Sequence, residues 1–202
     1  MRPTPGSRQC SWRRFGYPMQ VTTAISSMEP LVAQFMEVAR SAAATVEVVP
    51  RSSARLSDAI LRATLDADRI LFAPPRNLPQ ELFAEFLADS RVAIEPTPDE
   101  MVHAAAGVTE AFAGVARTGS VCVDVSYQRT AMVSLLAPLH IAVVSAETIV
   151  PRPRDLFSPD VLQGKNLARD FVLLTGPSAT ADMGPLVRGV HGPHRLHIIV
   201  VR

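Results

Sequence analysis

The chain has 202 residues, 48% of them hydrophobic, which suits one domain with a core of its own and excludes a globally disordered protein. With 20 Lys and Arg against 19 Asp and Glu, the net charge is +1, so no electrostatic excess draws the chain to nucleic acid or an acidic membrane. Its two cysteines, Cys10 and Cys122, lie far apart, and there is no Cys-x-x-Cys; no iron–sulfur or structural zinc site is readable, and a reducing cytoplasm fits better than a disulfide.

The N-terminal stretch carries four arginines with no apolar run behind them, so it does not read as a secretory signal. Pro3, Pro5, Gly6, Gly16 and Pro18 break regular structure; residues 1–27 are expected to be a disordered tail, and deletion of residues 1–18 is expected to leave folding unchanged. Met19 and Met28 both precede the first helical pattern, as they would if the start codon were assigned too far upstream. Leu31, Phe35, Val38 and Ala42 then fall on one face of a helix over 30–44. The β-branched run 45–49 reads as a strand closed by Pro50. A helix follows from Ser52 or Ser53 to about Asp66, then a strand over 69–73. A helix opening at Pro79 and a strand over 92–94 complete the alternation. Short apolar strands separated by helices predict crossover connections and a mostly parallel sheet covered on both faces.

The second half is richer in strands. Segments 113–116 and 121–125 flank Arg117–Ser120 as a hairpin or a bent strand. A helix is expected over 130–137, a central strand over 139–144, and a loop with a short helix over 151–162. Strands over 171–175 and 196–201 follow. No apolar run approaches the roughly 20 residues of a membrane-spanning helix, and residues 28–202 read as one α/β domain.

The stretch Thr175-Gly176-Pro177-Ser178-Ala179-Thr180-Ala181-Asp182 reads as a loop from a strand into a helical turn. Free backbone N–H groups at such a turn suit a phosphate or carboxylate, with Ser178 and Thr180 as further donors. In an open α/β sheet this loop would lie at the carboxyl ends of the strands. Equally, Ser178 or Thr180 caps the helix while Asp182 steadies its first turn, so that Asp182→Ala would cost stability. Gly189-Val190-His191-Gly192-Pro193 is a tight turn in which His191 is a general acid–base, an anion contact or a turn residue bonded to backbone. His191, His194 and His197 recur at intervals of three, but no carboxylate stands near to complete a metal site, and none is assigned. His140, opening a strand, reads as a core histidine with its hydrogen bonds satisfied. Thr118-Gly119-Ser120 is either an anion-binding nest or a hairpin turn. Ser178, His191 and Asp182 supply the residue types of a hydrolytic triad, yet the Gly-x-Ser-x-Gly elbow, the Walker loop and the dinucleotide fingerprint are all absent.

These motifs occur in a set order: Gly107-Val108-Thr109, Thr118-Gly119-Ser120, Pro138-Leu139-His140, 175–182, then 189–193 and Leu196-His197. In that order the chain resembles the LUD-domain family, whose namesake is lactate-utilisation protein C, most strongly over residues 100–202. The resemblance implies a three-layer α/β/α fold similar to the NagB/RpiA/CoA-transferase group. It implies a part in oxidising L-lactate to pyruvate, beside two partner proteins that carry the iron–sulfur clusters, with no cofactor in this chain. The loop readings add a small anionic ligand held by Thr118, Gly119, Ser120, Gly176, Ser178, Thr180, Gly189, His191 and Gly192; the catalytic residues are left unassigned, with His191 and Asp182 as candidates, and a homodimer is left open. Phe112, Arg117 and Gly184 stand where the family usually has acidic residues, which removes acid–base or cation-binding capacity. Three roles are therefore open: a non-redox subunit of a lactate-oxidising system, a stand-alone enzyme or sensor for a phosphate- or carboxylate-bearing molecule, and a scaffold with a degenerate pocket.

Overall fold

The computed structural model describes residues 21–126, 128–162, 170–182 and 184–202. Helix α1 (Val21–Ser41) starts upstream of Pro30, so residues 21–27, expected in the tail, are helical. Proline is favoured in a first turn, which placed the start there. Inside a helix it removes one backbone hydrogen bond, and here the flanking turns carry the helix past it. Residues 1–20 lie outside the described residues. Helix α1 closes on Ala43, whose φ of 65° turns the chain so that the Ala44 N–H reaches the Ala39 carbonyl at 3.1 Å.

The chain then alternates. Strand β1 (Thr45–Val49) leads to helix α2 (Ser53–Ala63), which buries Leu56, Ala59 and Ile60. Strand β2 (Ile70–Phe72) is followed by a 3-10 turn over Gln80–Phe83, helix α3 (Ala84–Leu87) and strand β3 (Val92–Ala93). Helix α4 (Pro98–His103) begins in a capping box, Thr97 accepting from the Glu100 N–H while the Glu100 side chain accepts from Thr97. Next come strands β4 (Ala106–Ala111), β5 (Ala113–Val115) and β6 (Ser120–Asp124), helix α5 (Gln128–Leu136) and strand β7 (Leu139–Ser145). Strand β8 (Ile149–Val150), helix α6 (Pro159–Leu162) and strands β9 (Phe171–Leu174), β10 (Ala179–Thr180), β11 (Val187–Arg188) and β12 (Arg195–Val201) complete the described chain.

Among the described residues, six parallel strands form the main sheet in the order β1-β12-β7-β4-β2-β3. Alternate residues of the central strands point to opposite faces, and both faces are buried. Ile141, Val143, Ile199 and Val201 join Leu56, Ile60, Phe83 and Phe86 under α2 and α3. Ala142, Val144, Ile198 and Val200 join Phe35 and Ala39 under α1. Helix α5 covers the same side farther along, through Val133 against Leu71. This is the expected α/β fold with helices on both faces. On the α1 side the cover also includes a second sheet, β8-β5-β6-β9, where Val121 and Val123 complete the core. The expected hairpin is present as the antiparallel pair β5 and β6, and the strand expected over 171–175 adds to β6, not to the main sheet.

Strand β4 was not anticipated from the sequence. Its residues (AGVTEA) have little β-propensity, yet it lies between β7 and β2 in the main sheet. Gly107 explains part of this: a Cβ there would overlap the Val133 carbonyl, so the close approach of α5 requires a glycine that weakens the strand signal.

Candidate functional site

Two loops converge on one cavity of about 240 Å³. Thr175, Gly176, Pro177 and Ser178 form one wall, and His191, Gly192 and Pro193 the other. Leu135, Leu173, Leu174 and Leu196 supply an apolar lining. The walls are tied by main-chain bonds: the Ser178 N–H donates to the Pro193 carbonyl at 3.0 Å, and the Gly189 N–H donates to the Ser178 carbonyl at 2.9 Å. Gly176 has φ of 73°, and a Cβ on it would overlap the Ala42 carbonyl, so the loop is seated directly on the end of α1. The structure thus brings Gly176, Ser178, His191 and Gly192 together around one space. A lining that combines serine, histidine and leucine residues can receive a small polar molecule with an apolar body.

The other expected residues are placed differently. Thr118, Gly119 and Ser120 form the β5–β6 turn. Gly119 has φ of 63° and packs so closely on α1 that a Cβ would overlap the Ala39 backbone. The buried Ser120 hydroxyl lies 2.7 Å from the Thr118 hydroxyl and 2.6 Å from that of Thr175, which fastens the turn to the cavity wall without lining it. The 175–182 stretch does not enter a helix. It runs into β10, which pairs with β11 as a two-stranded antiparallel ribbon. There is therefore no helix N-terminus here to hold an anion, and Asp182 steadies no helical turn. Thr180 and Gly189 belong to the ribbon and its exit, with the Thr180 hydroxyl accepting from the Asp182 N–H at 3.3 Å. Asp182 is exposed and does not line the cavity, so Ser178 and His191 are not completed into a triad. The three histidines also part: His191 lines this cavity, while His194 and His197 line another.

The site also sits at the opposite end of the sheet from the one expected. Gly176 rests against Ala42, just before β1; Pro193 precedes β12; and Leu135 precedes β7. All of these mark the amino ends of parallel strands. The 175–182 loop leaves β9 of the second sheet, so the carboxyl-end rule for the main sheet does not govern it.

At the carboxyl ends of β2 and β4 lies a group that no sequence motif marks. The Glu110 carboxylate accepts three successive backbone N–H groups, from Arg76 at 2.7 Å, Asn77 at 3.0 Å and Leu78 at 2.6 Å. Such a concavity of N–H groups binds anions, and here the protein's own carboxylate fills it. The Arg76 guanidinium stands 3.4 Å from Asp124. The space beside them is about 20 Å³, enough for roughly one water. Phe112 borders it and packs edge-on to Phe171 at 5.5 Å. An acidic side chain at 112 would have stood beside Glu110 and Asp124. Arg117 and Gly184 are exposed and lie outside this group, so the three usually acidic positions do not converge on one centre.

His140 is fully buried in β7, its Nε2 2.9 Å from the Thr109 hydroxyl and its Nδ1 3.5 Å from that of Ser134. It is a core histidine with its hydrogen bonds satisfied, as the sequence suggested. Cys122 is buried in β6, and burial pushes its thiol up to about 12. No helix among the described residues is long and apolar enough to cross a membrane.

Comparison with known proteins agrees with this architecture. A DUF162 family protein from Deinococcus radiodurans, solved by crystallography, superposes with a TM-score of 0.64 at 24% identity, covering 87% of this chain and 98% of that one. At the sequence level, "Lactate utilization protein C" of Deinococcus radiodurans is 31% identical over 159 residues, 74% of this chain and 70% of that protein. The Bacillus licheniformis protein of the same name is 36% identical over 99 residues, 47% of this chain and 41% of its own length, so the chain matches less than half of that relative. The LUD domain pattern matches residues 26–201, nearly the whole chain, and with this fold it establishes that the chain belongs to the LUD-domain family.

Proposed function

We propose that the chain serves lactate utilisation as a subunit without a redox centre of its own, holding a small anion in the cavity between Thr175–Ser178 and His191–Pro193. The observation that carries this reading is that Ser178 and His191, from two separate loops, both line one space of about 240 Å³ together with four leucines. A short hydroxy acid matches that lining: its carboxylate and hydroxyl meet the polar wall, and its methyl group meets Leu135 and Leu173. The relatives named for lactate utilisation support the substrate class. The electron-transfer step belongs, in this reading, to iron–sulfur partner proteins. The Cys122 thiol, buried and held protonated, is unsuited to ligating a cluster.

A stand-alone enzyme or sensor for a small anion would use the same cavity. The observation in its favour is that no carboxylate lines the space among the described residues, so nothing there opposes an anion. One experiment tests the cavity under both readings. L-lactate or pyruvate is expected to raise the melting temperature of the purified protein, since a ligand at a hundred times its Kd adds about 2.7 kcal/mol to stability. Ser178→Ala and His191→Ala are expected to abolish the rise. A melting curve indifferent to both acids removes the proposed ligand, and a rise unchanged in both variants places it elsewhere.

A further inference from the structure

A second and larger cavity, of about 520 Å³, opens at the amino edge of the main sheet on the α2 side. Its lining includes Thr45 and Glu47 of β1, Arg62 of α2, Arg188 of β11, and Arg195 and His197 of β12. Among the described lining residues three arginines face one carboxylate, a local excess of +2 in a chain whose total is +1. That lone carboxylate is already engaged. Glu47 takes the Arg62 guanidinium on one oxygen at 3.0 Å and the His197 Nε2 on the other at 3.0 Å. A carboxylate only accepts, so Nε2 carries the proton. In the neutral ring, Nδ1 then accepts from the Thr45 hydroxyl, 2.7 Å away. The register makes this possible, because Thr45 and His197 are direct partners across β1 and β12.

Arg188 and Arg195 have no acidic partner among the described residues. Both are held on the same wall. Arg188 sits in the ribbon paired to β10, and Arg195 opens β12 with its N–H donating to the Pro138 carbonyl at 3.1 Å. Between them Gly189, at φ of 80°, packs so closely that a Cβ would overlap the His194 ring. Both guanidinium groups are exposed and have no acidic partner among the described residues, which leaves them available to an anionic ligand. The planar guanidinium fork matches phosphate oxygens in pairs. The volume lies within the range of cavities that hold whole small molecules, and Ala63 and Leu139 offer apolar lining to the remainder of the ligand.

We propose that this second cavity binds a phosphate-bearing small molecule through Arg188 and Arg195, with Arg62, Glu47, His197 and Thr45 forming a fixed polar floor. It is separate from the lactate-sized cavity and does not rest on that assignment. Isothermal titration of the full chain at low ionic strength with inorganic phosphate, pyrophosphate and succinate tests it. Saturable one-site binding of pyrophosphate is expected, with phosphate weaker and the dicarboxylate weakest. The double variant Arg188→Ala/Arg195→Ala is expected to lose at least tenfold in affinity while keeping its melting temperature, since both side chains are exposed. Arg188→Lys should lose part of the affinity, because the charge remains and the fork does not. Absence of saturable binding, an unchanged affinity in the double variant, or succinate binding as tightly as pyrophosphate would each overturn the proposal.

Discussion

His140 lies on β7 with no exposed surface, and burial lowers its pKa to about 4 from an ordinary 6.5. The folded protein therefore holds the ring neutral while the unfolded chain binds a proton below pH 6.5. Between those two values the unfolded state carries more protons, so stability rises with pH and is lost as pH falls from 6.5 towards 4. The separation corresponds to about 3 kcal/mol. Replacing the histidine by Gln should flatten the dependence of melting temperature on pH between 6.5 and 5, where few carboxylates titrate. Identical slopes for the two proteins would show that His140 is not the group responsible. Asp182 makes the opposite case. Its residue type and position suggested a helix anchor, but it lies exposed at the ribbon, and Asp182→Ala should change stability by no more than about 0.5 kcal/mol. A loss above 1 kcal/mol in chemical denaturation would restore the structural role. The sequence identified His140 correctly because one polar residue in a strongly apolar strand needs partners. It misplaced Asp182 because a short polar stretch after a glycine opens a helix or a ribbon equally well.

At the scale of elements, hydrophobic periodicity found the helices and strands that obey it. Helix α2 and the runs LHIAVVS and LHIIVV are legible because every residue of the strands is apolar or satisfied on one of two buried faces. Strand β4 was not legible, because packing against α5 takes precedence over propensity at Gly107. Gly107→Ala should therefore cost roughly 1–3 kcal/mol, the usual range for overpacking, because the added Cβ meets the Val133 carbonyl. Denaturant unfolding of that variant checks it; an unchanged midpoint would mean that α5 shifts freely. The helix expected after residue 178 was lost to pairing between β10 and β11, a contact across a loop that no local pattern announces.

For the molecule as a whole, the loops that form the small cavity are assembled by packing on α1. Gly176 meets Ala42, Gly119 meets Ala39, and Ser120 is bonded to Thr175. Gly176→Ala combines a strained φ with an overlap against backbone, so it should lower stability by more than 1 kcal/mol and also weaken any response to L-lactate. A variant that melts lower yet responds in full would separate the seating of the loop from the cavity. The sequence by itself determined the fold class, the family and the glycine- and histidine-bearing segments, because these depend on local pattern and on order along the chain. The tertiary structure alone decided which of those segments meet, that they do so at the amino and not the carboxyl ends of the main strands, and that Thr45, Glu47 and His197 become neighbours. The reason is physical: strand order and register join residues about 150 positions apart, and no interval of the sequence encodes that juxtaposition.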